Sequence, residues 1–123
     1  MASQFSVIGV DVTTDSSGDA TPTCPAFRGF IHAIVYKKTD FANGVDFDIQ
    51  SASGDELWDE DNVNAAEVQY CRIPANDGVG AAVTFDGSNE IYTVPYNDGA
   101  PTITVASGGA AKTGRFEFVI AKA

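Results

Sequence analysis

One histidine, two cysteines and 17 acidic side chains are the raw material from which this 123-residue chain would have to build acid–base, metal or thiol chemistry. His32 lies inside "RGFIHAIVYKKT", on the side of Phe30 and Ile34 if the run is a regular strand. No second histidine exists to share a metal and no serine stands in a nucleophile-elbow setting, so His32 reads as a buried structural residue. The acids concentrate in "GDELWDEDN", which places Asp55, Glu56, Asp59, Glu60 and Asp61 close together. Hard oxygen ligands in a loop are what calcium selects. The EF-hand loop requires Gly at its sixth position and Glu at its twelfth, and counted from Asp59 those positions hold Asn64 and Tyr70. The segment therefore reads as a solvated acidic loop, with an irregular cation site or a contact for a basic surface as the alternatives, and no structural calcium is expected.

Carboxylate pairs of the glycosidase type can be drawn from 17 acids almost anywhere, so their presence selects nothing. The run "GVGAA", residues 78–82, lacks the spacing and the Lys-Ser/Thr of a phosphate-binding loop. Neither an enzyme nor a cofactor is expected. Trp58, in the middle of the acidic segment, either plugs the core or anchors a partner, since tryptophan is enriched at interface hot spots. Trp58, Tyr92 and Tyr96 are also the aromatics from which a sugar platform could be made. Cys24 and Cys71 match no zinc or redox spacing and read as two buried free thiols.

The elements that must position these groups are strands. Phe5 and Val7, then Val10 and Val12, alternate on either side of Gly9, which predicts a strand with a bulge or bend at the glycine. In residues 28–39 both alternating sets are apolar, which predicts a strand buried on both faces. "DFANGV" then supplies Asn43-Gly44, a strong hairpin signal, because both residues tolerate the positive φ of a tight turn. In "VDFDIQ", Val45, Phe47 and Ile49 face inward while Asp46, Asp48 and Gln50 face water. The stretch from Leu57 to Pro74 lacks helical spacing and reads as a loop followed by a strand with Val68, Tyr70 and Arg72 in alternation. Further short apolar runs, "AAVTF", "EIYTVPY", "TITVA" and "RFEFVIA", are each bounded by turn residues, and "ASGGAAKTG" joins the last two. The expectation is one all-β domain, a β-sandwich or jelly-roll-like barrel of about eight strands spanning residues 1–123. Residues 1–6 and the loop 14–25 are expected as flexible arms.

A formal net charge of -10 repels phosphate backbones and anionic bilayers, so nucleic acid and membrane are poor partners. No run approaches the ~18 apolar residues of a membrane helix, and "MASQFSV" lacks the basic and apolar regions of a secretion signal. Folding in a cytoplasm is the expectation.

The segments "GFIHAIVYKKTDFANGVDFDIQ", "SGDELWDEDNVNA", "CRIPA" and "KTGRFEFVIA" resemble a group of small tailed-bacteriophage proteins encoded among virion structural genes. The likeness covers chiefly residues 29–75 and 112–121. Its motifs mark turns and strands, so it implies a fold more directly than a function. It implies a virion component, with head decoration (cement) the favoured role: attachment to the major capsid protein on the outer head surface, as a homo-oligomer with a trimer favoured. A neck or tail attachment module, or a host-glycan-binding domain, is the alternative. The residues expected at an interface are Trp58, Asp59, Asp61 and Phe5.

Overall fold

The computed structural model describes residues 5–121, and among these every regular element is a strand. The elements are β1 (Phe5–Thr13), β2 (Phe27–Lys38), β3 (Val45–Gln50), β4 (Glu56–Val63), β5 (Glu67–Tyr70), β6 (Ile73–Pro74), β7 (Tyr92–Thr93), β8 (Tyr96–Gly99), β9 (Thr102–Ala106) and β10 (Thr113–Ala121). Among the described residues all the strands pair antiparallel. The larger sheet runs β1-β10-β2-β5, with β8 paired to the first residues of β2; the smaller runs β4-β3-β9. The two sheets face each other as a β-sandwich.

The alternation seen in the sequence sets which side chains meet between them. Val45, Phe47 and Ile49 from β3 and Ile103 and Val105 from β9 meet Val10, Val12, Ile31, Ile34, Tyr36, Phe116, Phe118 and Ile120 from the larger sheet. Phe47 lies 4.7 Å from Trp58, 5.0 Å from Phe116 and 5.2 Å from Tyr36, centroid to centroid, so one aromatic cluster ties both sheets together. Asn97 of β8 is fully buried and bridges the sheets through the backbone: its Oδ1 accepts from Ala52 N, and its Nδ2 donates to Phe27 O and Gly99 O.

Four sequence expectations are corrected. The Asn43-Gly44 turn does not close a hairpin, because β2 and β3 belong to opposite sheets. Between them Phe41 turns into the core and Asp40 accepts from Thr113 of β10, so the chain is handed across the sandwich; Gly44 still supplies the positive φ of +88°. The acidic segment is no loop: Glu56–Val63 is strand β4, whose buried Leu57, Trp58 and Val63 hold it to the core. Nor are residues 14–25 a free arm, since Asp15 turns back on Asp19, Ala20 bridges Val105 and Cys24 is buried. Of residues 1–6, Phe5 and Ser6 pair with Ala121 and Ile120 in β1, and residues 1–4 lie outside the described residues.

The fourth correction is Gly9. The β1–β10 register runs unbroken from Phe5 to Thr13, so there is no bulge. A Cβ at Gly9 would instead collide with the Arg115 guanidinium, which lies across β1 to reach Asp11 at 2.8 Å while its Nε holds Glu117 at 2.9 Å. Gly29 is less forgiving, with φ +153° and Ile120 and the Ala121 carbonyl in the space a Cβ would take. Gly9→Ala should therefore cost under ~1 kcal/mol, since an exposed arginine can swing away from a surface pair. Gly29→Ala should cost at least ~2 kcal/mol, because backbone must move. Urea unfolding of the two variants tests the ranking, and equal costs would refute it.

Candidate interaction surface

The unbroken register in β1 changes the meaning of its apolar pattern. Odd-numbered residues all point away from the core, so Phe5 and Val7 stand on the outer face while Val10 and Val12 stand inside. What looks in the sequence like a change of phase is a strand apolar on both faces. Strand β2 repeats the message: Ile31, Ile34 and Tyr36 are buried inside, and Phe30 lies outside, 41% exposed. The register shifts between Val119 and Ile120, which pair with Ala33 and Ile31, so His32 is the extra residue. That bulge removes His32 from the face of Ile34. The second face of β2 was expected to be covered, yet among the described residues no layer packs on it.

Neighbouring strands enlarge this outer face. Register places Val7 beside Val119, Phe5 beside Ala121, Phe30 beside both Ala121 and Tyr96, Ala33 beside Tyr70, and Val35 beside Val68. Aromatic rings link them: Phe5 to His32 at 5.6 Å, His32 to Tyr70 at 5.5 Å, and Phe30 to Tyr96 at 5.2 Å. Phe5 is 50% exposed and Tyr70 61%. Contiguous apolar surface with a polar rim marks an interaction site on a folded domain. The rim is present here, at the other end of the same face, as Asp11, Arg115, Glu117 and Lys37 in one ion-pair chain.

The outer face of the smaller sheet has the opposite character. Asp46, Asp48, Asp59 and Asp61 line a shallow open dent of about 120 Å³ with Phe47, Thr104 and Ala106. Among the described residues no group of three or more His, Cys, Asp or Glu is arranged to hold a metal ion. Like charges raise one another's pKa here. Glu56 is pushed up to about 7, chiefly by its hydrogen bond to Asp48 and then by desolvation, and Glu60 is raised by desolvation and by Glu67. Asp48 Oδ1 is buried without a donor, and protonated Glu56 is the group that can satisfy it.

The native state thus holds protons that an unfolded chain, with glutamates near 4.5, gives up. At Glu56 this stabilising effect is complete below 4.5 and lost as pH rises through about 7. Melting temperature at low salt should fall from pH 5 to pH 8, and Glu56→Gln should flatten the slope. A melting temperature that rises over that interval would refute the pairing.

The four residues expected at an interface are not brought together. Trp58 is buried at 4% exposure and serves the core, Asp59 and Asp61 lie on the acidic face, and Phe5 lies on the opposite, apolar one. Tyr70, Phe30 and Val68 were missed and Tyr96 was named only as material for a sugar platform, although two-faced apolar strands at residues 5–12 and 28–36 carried the signal. Cys24 and Cys71 are free and buried, and burial raises both thiols, that of Cys71 to about 12. The chain matches no protein-family model, no curated protein and no solved structure with which it was compared.

Proposed function

We propose that this chain is a bacteriophage head-decoration protein, held in the assembly by the outer face of its larger sheet and displaying the acidic face of its smaller one. The segregation of the surface carries the reading: exposed aromatic and aliphatic side chains on one sheet, uncompensated carboxylates on the other. A protein that works at high copy number on a shell needs both. The apolar face supplies contact with the major capsid protein and with neighbouring copies, and the acidic face keeps the free protein soluble and the decorated particle mutually repulsive. The resemblance to small phage virion proteins gives the reading its setting. Contacts repeated over a lattice act together, so a modest affinity per site suffices to oppose internal pressure.

Thiol footprinting on particles tests it, since the two natural cysteines are buried and give little background. A cysteine placed by Asp59→Cys should react with a bulky maleimide on intact particles, whereas one placed by Tyr70→Cys should react in the free protein diluted until it is monomeric and be protected once attached. Equal reactivity at both positions on particles, or a chain present in only six or twelve copies at a neck or tail, would overturn the decoration reading.

A further inference from the structure

Between β6 and β7 the chain leaves the sandwich. From Ala75 to Thr93 no residue is buried. The segment is nonetheless ordered by its own backbone: Val83 N donates to Ala75 O at 2.8 Å, Ile91 N to Val83 O at 3.0 Å, and Ala75 N to Ile91 O at 2.7 Å. Isolated bridges join Asn76 to Ala82 and Thr84 to Glu90. Two matching turns close this small meander. Asp77 accepts from Val79 N and Ala81 N, and Asp86 from Ser88 N and Asn89 N. The arm projects large apolar side chains with nothing beneath them: Val79 is 90% exposed, Phe85 70%, and Ile91 and Tyr92 are exposed too. A ribbon of this size has no core of its own and gains stability only by packing on another surface.

We infer that the arm 75–93 of one copy docks on the outer face of the larger sheet of a second copy, around Phe30, Val68, Tyr70 and Tyr96, so that copies join head to tail. Charge selects that surface. The arm carries Asp77, Asp86 and Glu90, and no Lys or Arg occurs between Arg72 and Lys112. It is repelled by the acidic smaller sheet. The outer face of the larger sheet and its rim carry Arg28, Lys37, Arg72 and Arg115, and three of these already sit in ion pairs with Asp98, Glu117 and Asp11. Arg72 Nη1 is bonded to carbonyls, of His32 at 3.1 Å and of Cys71, which places its charge beside Tyr70 without a carboxylate partner among its hydrogen bonds. An acidic, apolar arm is complementary in both respects to an apolar face edged by Arg72, whose charge no carboxylate holds among the described residues. Because donor and acceptor surfaces differ, the contact is heterologous, and repeated contacts build a ring where the rotation between copies closes and a filament where it does not. This inference concerns the free protein and stands apart from the virion reading; self-association without any particle binding would support the one and leave the other to its own test.

Complementation between two variants decides it. Val79→Glu with Phe85→Glu should disable the arm without touching the core, and Val68→Glu with Tyr70→Glu should disable the face. By sedimentation at about 100 μM, the unaltered protein should run well above its 12.9 kDa monomer mass, each double variant alone should be monomeric, and their mixture should form a one-to-one heterodimer through the single remaining arm–face junction. Circular dichroism and melting temperature of each variant, measured alongside, should match the unaltered protein. A monomeric unaltered protein would overturn the inference. So would association of the arm variant alone, which means faces pair with faces, or of the face variant alone, which means arms pair with arms.

Discussion

Asn97→Asp is expected to destabilise the protein by about 3–5 kcal/mol at pH 8, a large part of the ~5–15 kcal/mol that holds a domain together. The change adds no bulk. Asn97 is fully buried, and its amide is used in full: Oδ1 accepts from Ala52 N at 2.8 Å while Nδ2 donates to Phe27 O at 3.0 Å and Gly99 O at 2.9 Å. A carboxylate keeps the first bond and turns the other two into contacts between a buried anion and two carbonyl oxygens. The two lost bonds lie within the larger sheet, to the backbone of β2 and β8, so their loss loosens the β2–β8 edge where Tyr96 and Phe30 border the outer face, while the bond to Ala52 in the loop after β3 is kept. Protonation restores one donor. The deficit should therefore shrink as pH falls, because a buried acid without a cation has a raised folded pKa and its protonated form is the one the native state tolerates. Urea unfolding at pH 5 and pH 8 checks both statements, and a loss under 1 kcal/mol at pH 8 would show that the amide's three bonds do not matter.

How much of this could be read from the sequence depends on what each residue answers to. Alternation in "VDFDIQ" is a local steric fact of a pleated strand, and Val45, Phe47 and Ile49 are all buried as it requires. Whether a turn closes a hairpin is a non-local fact. Asn43-Gly44 makes its turn, but Asp40, held by Thr113 seventy-three residues away, and Phe41, pressed against Gly114, send the chain to the other sheet. The acidic segment misled for a related reason. Its charge predicts solvent, and its carboxylates do meet solvent on one side, yet Leu57, Trp58 and Val63 are enough to make it a strand.

The interaction surface was half legible. Apolar residues on both faces of β1 and β2 were visible, and they were assigned to a buried strand and to a bulge, because within one sequence nothing distinguishes an outer face covered by the fold from one left open for a partner. That distinction is topological. It needs the knowledge that, among the described residues, no other element lies over β1, β10 and β2. The arm was invisible for the same reason: "AAVTF" and "EIYTVPY" have the composition of core strands, and only the structure shows that Phe85 and Tyr92 have nothing to pack on.

The contrast between two aromatic positions gives the second large effect. Phe47→Ala should cost about 3–5 kcal/mol, the loss of a large ring plus the cavity it leaves. The position is central to both sheets, with Trp58 edge-on at 4.7 Å, Phe116 edge-on at 5.0 Å and Tyr36 tilted at 5.2 Å. None of these β-strand side chains can relax far into the gap without leaving its own sheet register, so collapse around the cavity is limited. Tyr36, on the opposite wall of the same cluster, should behave in the reverse way when its hydroxyl is removed. It is fully buried, its Oη finds no partner, and burial pushes its pKa up to about 12. An unsatisfied buried hydroxyl costs about 1–3 kcal/mol. Tyr36→Phe, which keeps the stacking against Phe116 at 5.3 Å, should accordingly leave stability unchanged or raise it by up to ~1 kcal/mol. Chemical denaturation of both variants provides the measurement. A Tyr36→Phe protein clearly weaker than the parent would show that the hydroxyl has a partner, and a Phe47→Ala protein within 1 kcal/mol of the parent would show that the two sheets are not held together through this ring.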